Sequence, residues 1–507
     1  MTLEKNIRGL GMNEHASMPG SPAAPDARYQ AERRRHWDNV ARGRSSLAGL
    51  GRCYHRQLHE QYRFVIPEGA RVLEIGCAEG ELLAALRPSF GVGLDLSPAM
   101  LAEAGTRHPH LRFVQADVCS PALDAAADAE EGGVFAQPFD AVILSDLVND
   151  VWDALAMFKN LRRFCGQHTR LVLNFHSHLW EHPFQMLQRS GRVTGRLQQN
   201  WFTPADTENL LQLAGFEVLR AFDAVLWPFA TPFLERLCNR WLVKFWPFSI
   251  FAMTHFQVCR PILPPEKPGL VSVVIPARNE AGNIENALLR TPEMGAGTEL
   301  IFVEGHSTDN TWESITTAIA RHPERRCKAL RQPGKGKGDA VRAGFAVAEG
   351  DILMILDADL TMPPESLPQF FEALSSKHGE FINGVRLVYP QEKEAMRFFN
   401  LVGNKFFSLA FSWLLGRPIK DTLCGTKALS RANYEKIAAN RAYFGDFDPF
   451  GDFDLLFGAA KLNLKIVDLP VRYRERTYGE TNISRWRDGF ILLRMVLFAL
   501  NRIKFKP

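Results

Sequence analysis

The sequence predicts an α/β protein in which two open, largely parallel sheets follow one another along the chain. Three observations carry this. Between Arg71 and His176, short apolar runs alternate with helix-like segments, and strand after strand ends on a polar or acidic residue. A second series begins at Val271 and reaches the apolar run Ile352 to Leu356, which ends in Asp357 and Asp359. Between the two stands Arg260-Pro-Ile-Leu-Pro-Pro-Glu-Lys-Pro-Gly269, whose prolines favour a stiff, extended connection.

Length and composition agree. A chain of 507 residues exceeds one ordinary domain, and 46% hydrophobic with 23% charged residues is the composition of a soluble globular protein. A formal charge of +4 gives no footing for a nucleic-acid partner. From Arg472 to Pro507, however, nine Lys and Arg face three acids, which suits phosphate groups or an anionic membrane surface. The eight cysteines are scattered and form no C-x-x-C pair, which argues against a zinc site or a disulfide framework. The N-terminus lacks an apolar signal core, and no apolar run reaches the roughly 18 residues of a membrane span. The expectation is a cytoplasmic protein, peripheral at the inner face of the membrane where it meets one.

In chain order, residues 1–27 read as disordered and residues 28–60 as polar helix with Trp37 and Tyr54 as anchors. Arg71 to Leu86 is a strand, a turn with Gly76 and Gly80, and a Leu-periodic helix. Glycines there let backbone approach a ligand, and the helix N-terminus favours negative charge. The next strand ends in Asp95, where an acid grips a ribose diol in dinucleotide-type folds. Later strands end in Asp117, in Ser145-Asp146 and in His176. His176 and His178 stand where a strand-end general base would, although a lone His is more often structural. Residues 201–222 read as an N-capped helix followed by a strand. The Trp- and Phe-rich residues 225–252, with interleaved Arg and Lys, read as an inter-domain packing surface or lid, or as a membrane-interface segment.

With Glu74-x-Gly76-Cys77-x-x-Gly80, Asp95 and Asp117 in that order, residues 70–180 resemble class I S-adenosylmethionine-dependent methyltransferases. The resemblance implies a Rossmann-like domain over 28–259. In it Glu74, Gly76 and Gly80 lie at the amino-acid end of the cofactor, Asp95 holds the ribose hydroxyls, and Asp117 the adenine edge. It does not name the methyl acceptor.

The second series opens with Val271 to Ala277 and the loop Pro276-Ala-Arg278-Asn-Glu280, then a helix near Ile284 to Leu289. A strand then ends at Glu304, and Ser307, Thr308 and Asp309 suit a helix N-cap. Gly334-Lys-Gly-Lys-Gly-Asp339 offers a diphosphate contact, or simply solvated lysines at 335 and 337. Asp357 and Asp359, spaced i, i+2 past a buried strand, can both turn toward one hard cation.

Residues 270 to about 485 resemble a family 2 glycosyltransferase of the GT-A fold, most closely the dolichyl- or polyprenyl-phosphate sugar synthases. The carriers are Val-Ile-Pro-Ala-Arg-Asn-Glu280, Asp357-Ala-Asp359, Asn383-Gly-Val-Arg386 and Arg476-Thr-Tyr-Gly-Glu-Thr481. The resemblance implies a nucleotide-diphospho-sugar donor met by Pro276, Arg278, Glu280, Glu304, Asp357 and Arg386. It implies Mg²⁺ or Mn²⁺ on Asp357 and Asp359, Arg476 at the phosphates, a lipid-phosphate or glycan acceptor, and inversion at the sugar carbon. Where such enzymes carry a base, this chain has Gly445-Asp-Phe-Asp-Pro-Phe-Gly-Asp-Phe-Asp454. Asp452 and Asp454 are the candidates, against N-capping of a helix from Leu455. Three positions depart from the pattern: Glu304-Gly305 for a pair of Asp, Thr361 for Gln, and Thr481-Asn482 for Ser-Lys. Residues 486–507 read as a basic amphipathic helix suited to an interface or to a homo-oligomer face. The whole reads as a bifunctional transferase of glycan or glycolipid synthesis. The alternatives are a glycosyltransferase with a non-catalytic front domain, and a sugar-nucleotide sensor or scaffold.

Overall fold

The computed structural model describes residues 25–43, 50–120, 133–189, 197, 199–265, 269–386, 388, 398–422, 424–443, 451–474, 478 and 485–506. Of the segment expected to be disordered, residues 1–24 lie outside these. Residues 25–27 instead begin the helix Pro25–Arg42, whose first turn carries Asp26 as the helix dipole favours.

The first seven strands, β1 (Arg71–Ile75), β2 (Phe90–Asp95), β3 (Arg112–Gln115), β4 (Phe139–Ser145), β5 (Cys165–His176), β6 (Phe216–Ala224) and β7 (Thr254–Pro261), form one sheet in the order β3-β2-β1-β4-β5-β7-β6. Strands β1 to β5 pair in parallel, and β7 runs antiparallel to both its neighbours. The order reverses at β1, so the crevice beyond β1 and β4 is the place for a ligand. β5 starts six residues before the apolar run that announces it. Its polar first half joins β4 through a register shift between Phe139 and Ala141, and so lacks the strand's apolar signature. β7 takes in Arg260 and Pro261, so the connection expected from 260 starts later. Pro261 is tolerated because it is the last residue of the strand.

The second sheet holds β8 (Val271–Ala277), β9 (Thr298–Glu304), β10 (Arg326–Arg331), β11 (Ile352–Ile355), β12 (Phe381–Val385), β13 (Lys427–Ser430) and β14 (Ile466–Pro470), in the order β10-β9-β8-β11-β13-β12-β14. Only β13 is antiparallel to its neighbours. Its reversal between β8 and β11 again opens a crevice at the carboxyl ends. Apolar layers fill both faces, with Val274, Leu353 and Ile355 on one and Val273, Ile275 and Met354 on the other.

The two sheets are joined by a buried charge cluster. Arg170 of β5 donates to both carboxylate oxygens of Glu380 at 2.8 Å, and Arg260 of β7 lies 3.6 Å from the same group. Burial opposes the charge on Glu380, and Arg170 and Arg260 more than offset it, holding the carboxyl below its ordinary value. Lys465 reaches back to Glu217 at 2.6 Å. Residues 225–252 break into short helical turns, as their prolines require. Trp241 packs on Phe505 at 4.3 Å and Phe245 on Trp413 at 5.3 Å, so part of the segment is inter-domain packing, while Phe233 and Trp246 stay more than 80% exposed. Among the described residues, no helix is long and apolar enough to cross a membrane.

Candidate active sites

The crevice of the second sheet is built around the end of β11. All four β11 residues are buried, so the chain leaves the core directly before Asp357 and Asp359. Asp357 Oδ1 lies 2.6 Å from Lys337 Nζ. Lys337 heads the helix Lys337–Val347, whose cap is Gly336 at φ 87°. Burial opposes the charge of Asp357, but Lys337, Lys427 and Arg386 together hold its carboxyl below the ordinary range. A Cβ on Gly425 would stand 2.1 Å from both Asp357 Oδ2 and Lys337 Nζ, so any side chain there would push this pair aside. Asp359 accepts from Thr361 N at 3.1 Å and Thr361 Oγ1 at 2.8 Å, so the departure at Thr361 anchors the second acid.

Of the expected N-cap residues, Asp309 accepts from Thr311 N, the first residue of the helix, at 3.1 Å, and the other two serve a different purpose. Asn310 precedes the helix Thr311–Arg321, while Ser307 and Thr308 fasten the loop after β8. Asn279 N donates to Ser307 Oγ at 3.0 Å, Thr308 N to Asn279 Oδ1 at 2.8 Å, and Glu280 N to Thr311 Oγ1 at 3.0 Å. Pro276 lies in β8 opposite Val303. Glu280 takes Asn283 Nδ2 at 2.7 Å and Glu304 takes Ser307 N, so both buried acids shape loops, and Arg278 is left exposed at the mouth.

Two expected residues are engaged elsewhere. The Arg386 guanidinium grips Asp421 through Nε at 2.8 Å and Nη2 at 2.9 Å, so it reaches Asp357 as background charge. Asp454 is buried and pairs with Arg441 at 2.8 Å. Its helix begins at Asp452 rather than Leu455, and its N-cap is Gly451 at φ 75°, so Asp452 is not the cap. A Cβ on Gly451 would come within 2.5 Å of Gly338 Cα, which sets the backbone before Asp452 against the helix that carries Lys337. The side chain of Asp452, and all of Asp446, Asp448 and Arg476, lie outside the described residues. The chain on either side of Arg476 does border the site. Arg474 N donates to Thr361 O at 2.8 Å, and a Cβ on Gly282 would lie 2.7 Å from the Tyr478 ring.

The first crevice carries the opposite electrostatics. Glu74 is buried in β1, its Oε2 has no hydrogen-bond partner, and burial pushes its carboxyl up to about 8. Gly76 and Gly80 adopt φ 71° and 76°, and a Cβ on Gly76 would meet Leu147 at 2.9 Å. Asp95 accepts from Ala78 N at 2.9 Å and Ser97 N at 2.8 Å, and burial raises its carboxyl despite these bonds. Asp117 accepts from Cys119 N at 2.9 Å, two residues beyond β3. The helix Pro25–Arg42 crosses this edge, with Arg33 at 3.2 Å from Asp150 and Asp38 accepting from Ser97 Oγ at 2.6 Å.

Beyond β4 and β5, Asp146 at φ 54° accepts from Tyr54 OH at 2.9 Å and Asn174 Nδ2 at 2.6 Å. His176 is fully buried beside them, 3.4 Å from the Tyr54 hydroxyl, which gives it a place in a fixed network. His178 instead lines a cavity of about 290 Å³ with Ser177, Phe202, Asp223, Ile250 and His255. There His255 Nδ1 lies 2.7 Å from Asp223 Oδ1, an imidazole oriented by a carboxylate. The sequence gives no local sign of this pair, because 32 residues separate its members on two strands.

Comparison with known proteins bears on the two halves of the chain separately. Residues 272–437 match the family model for glycosyl transferase family 2, and residues 50–221 the model for a methyltransferase domain. The chain carries a methyltransferase domain followed by a family 2 glycosyltransferase domain. The folds are accordingly Rossmann-like and GT-A. Across 220 residues the glycosyltransferase domain is 31% identical to a dolichol-phosphate mannosyltransferase of Pyrococcus furiosus, covering 42% of this chain and 59% of that one. Across 222 residues it is 29% identical to an undecaprenyl-phosphate 4-deoxy-4-formamido-L-arabinose transferase of Pseudomonas aeruginosa, covering 43% and 61%. The chain thus spans about six-tenths of the length of these relatives. A solved glucosyl-3-phosphoglycerate synthase of Mycobacterium tuberculosis aligns at TM-score 0.34 and 21% identity over 46% of this chain and 81% of that one.

Proposed function

We propose that the glycosyltransferase domain moves a sugar from a nucleotide-diphospho-sugar to a lipid phosphate, and that the methyltransferase domain uses S-adenosylmethionine in the same glycan or glycolipid synthesis. The observation that carries the first part is the strand-end acid Asp357, kept ionised by surrounding cations at the mouth of a crevice. Asp357 and Asp359 suit a hard cation. No cluster of three or more ligating side chains forms among the described residues, so diphosphate and water would complete the shell. Mg²⁺ or Mn²⁺ held there supplies positive charge for the departing diphosphate.

The remaining chemistry belongs to the chain. Lys337 exchanges its contact with Asp357 for the diphosphate, Arg278 meets it from the mouth, and Arg476 is the further phosphate contact that the family resemblance implies. Asp421 fixes Arg386, which adds charge from behind without touching the donor. The bond from the sugar carbon to the diphosphate oxygen breaks as an acceptor oxygen bonds from the opposite face, inverting the carbon. A phosphate oxygen needs no base for this; a hydroxyl acceptor would need one, and Asp452 is the candidate because Asp454 is committed to Arg441. The two relatives are named for dolichol phosphate and undecaprenyl phosphate, which supports a polyprenyl phosphate acceptor. Such an acceptor brings the chain to a membrane surface.

In the first crevice the unpartnered Glu74 Oε2 and the open backbone at Gly76 and Gly80 fit the amino-acid end of S-adenosylmethionine, with Asp95 at its ribose. The cofactor supplies an electrophilic methyl group. His255, held by Asp223, is the base available to an acceptor in the adjoining cavity. The test is a donor screen reading released nucleoside diphosphate, with Mn²⁺ and with or without polyprenyl phosphate. Acceptor-dependent release that Asp357→Ala abolishes is expected; release indifferent to lipid phosphate across the screen would contradict the reading.

A further inference from the structure

Where β6 meets the last turns of the chain, four cationic side chains converge from both domains. Arg220 Cζ and Lys244 Nζ lie 4.8 and 6.0 Å from the centroid of one ring, Phe222. Arg220 Nε also faces Gly416, where a Cβ would stand 3.8 Å from it, and the next residue is Arg417. Lys504 Nζ donates to Trp413 O at 2.7 Å and lies 4.8 Å from that ring, which packs on Phe245 beside Lys244.

Among the described residues no carboxylate touches this cluster, and Asp223 and Glu380 reach Lys244 and Arg417 only as charge at a distance. Arg220 Nε, Arg417 Nε and Arg417 Nη2 are buried without a hydrogen-bond partner. The neighbouring acids are committed already, Asp223 to His255 at 2.7 Å, Glu217 to Lys465 at 2.6 Å and Glu380 to Arg170 at 2.8 Å. Burial, and then the Arg220 charge, pushes Lys244 down to about 7 and Lys504 to about 8. Uncompensated buried charge costs stability, and guanidinium forks with unused N–H groups match phosphate oxygens.

We infer that the domain interface holds a phosphate-anion site, formed by Arg220, Lys244, Arg417 and Lys504, which takes either a free phosphate or diphosphate or the head group of an anionic lipid. None of these residues belongs to the donor or cofactor loops, so the site stands apart from both crevices. Exposed Trp246 and half-exposed Trp241 and Phe245 flank it with apolar surface that an acyl chain could cover.

The full chain tests this. Thermal unfolding is followed in chloride, inorganic phosphate and pyrophosphate at matched ionic strength, and binding by co-sedimentation with phosphatidylglycerol-containing or pure phosphatidylcholine vesicles. Wild type is expected to gain several degrees in phosphate or pyrophosphate over chloride, or to sediment with the anionic vesicles alone. Arg220→Gln with Arg417→Gln should weaken that response at least tenfold, while leaving unfolding in chloride unchanged or shifted upward because repulsion is relieved. Lys504→Gln, at a partly exposed position, gives the same reading if the double variant does not fold. Stabilisation by phosphate without vesicle capture assigns the site to a free anion; capture that the variants lose assigns it to lipid. Equal effects of chloride and phosphate with no vesicle preference, or wild-type responses in the variants, overturn the site.

Discussion

The two crevices share one architecture and differ in what surrounds their acids. In both, carboxylates sit at the ends of parallel strands where the strand order turns. In the first, Glu74 and Asp95 face burial and each other, and both carboxyls are raised. In the second, Asp357 is ringed by Lys337, Lys427 and Arg386 and its carboxyl is lowered. The first crevice therefore suits a ligand that brings positive charge, as a sulfonium cofactor does. The second suits a metal with a diphosphate that brings negative charge. The identity of the acids does not separate the two; their neighbours do.

The comparison breaks most visibly at the joint between the sheets. Glu380→Ala leaves buried Arg170 without its carboxylate and Arg260 with Glu217 alone, and is expected to destabilise the chain by roughly 3–5 kcal/mol, read by chemical denaturation. Arg170→Ala with Glu380→Ala should recover part of that loss. Next comes the second crevice, where Asp357→Ala should lower sugar transfer by about 10²–10³-fold with little effect on S-adenosylmethionine affinity. In the first, Gly76→Ala forces a side chain into a left-handed backbone at φ 71° against Leu147. It should cost roughly 1–2 kcal/mol of stability, weaken cofactor binding and leave sugar transfer unchanged.

The smallest effect is in pH dependence, and its sign differs between the crevices. The carboxyl of Glu74 rises from 4.5 unfolded to about 8 folded, so its contribution is present below 4.5 and lost as pH climbs through 8. Glu74→Gln should flatten the fall of Tm toward alkaline pH. Asp357 is lowered on folding, so its contribution is present above the ordinary carboxylate value and lost as pH falls through the folded one. Asp357→Asn should flatten the acid side instead.

Much of the frame is legible in the sequence. Short apolar runs mark most strands; Gly76, Asp95, Asp357 and Asp359 fall at or just past strand ends, and Gly80 caps the helix after the first. What stayed hidden depends on partners distant in sequence. Asp421 takes Arg386 across 35 residues and Arg170 takes Glu380 across 210, and no spacing rule reports such pairs. Gly338 and Gly451 look like ordinary loop glycines until two helix starts are seen to abut. The doubled Gly-Asp-Phe-Asp gave Asp452 and Asp454 equal weight, and only the pairing with Arg441 separates them.

The most direct test of the opposed crevices is a calorimetric titration of two ligands into two variants, S-adenosylmethionine and a nucleoside diphosphate with Mn²⁺ into Asp95→Ala and Asp357→Ala. The account predicts that Asp95→Ala loses the first ligand and keeps the second, and that Asp357→Ala does the reverse. Binding of either ligand that is unaffected by its own variant, or weakened equally by both, would contradict it.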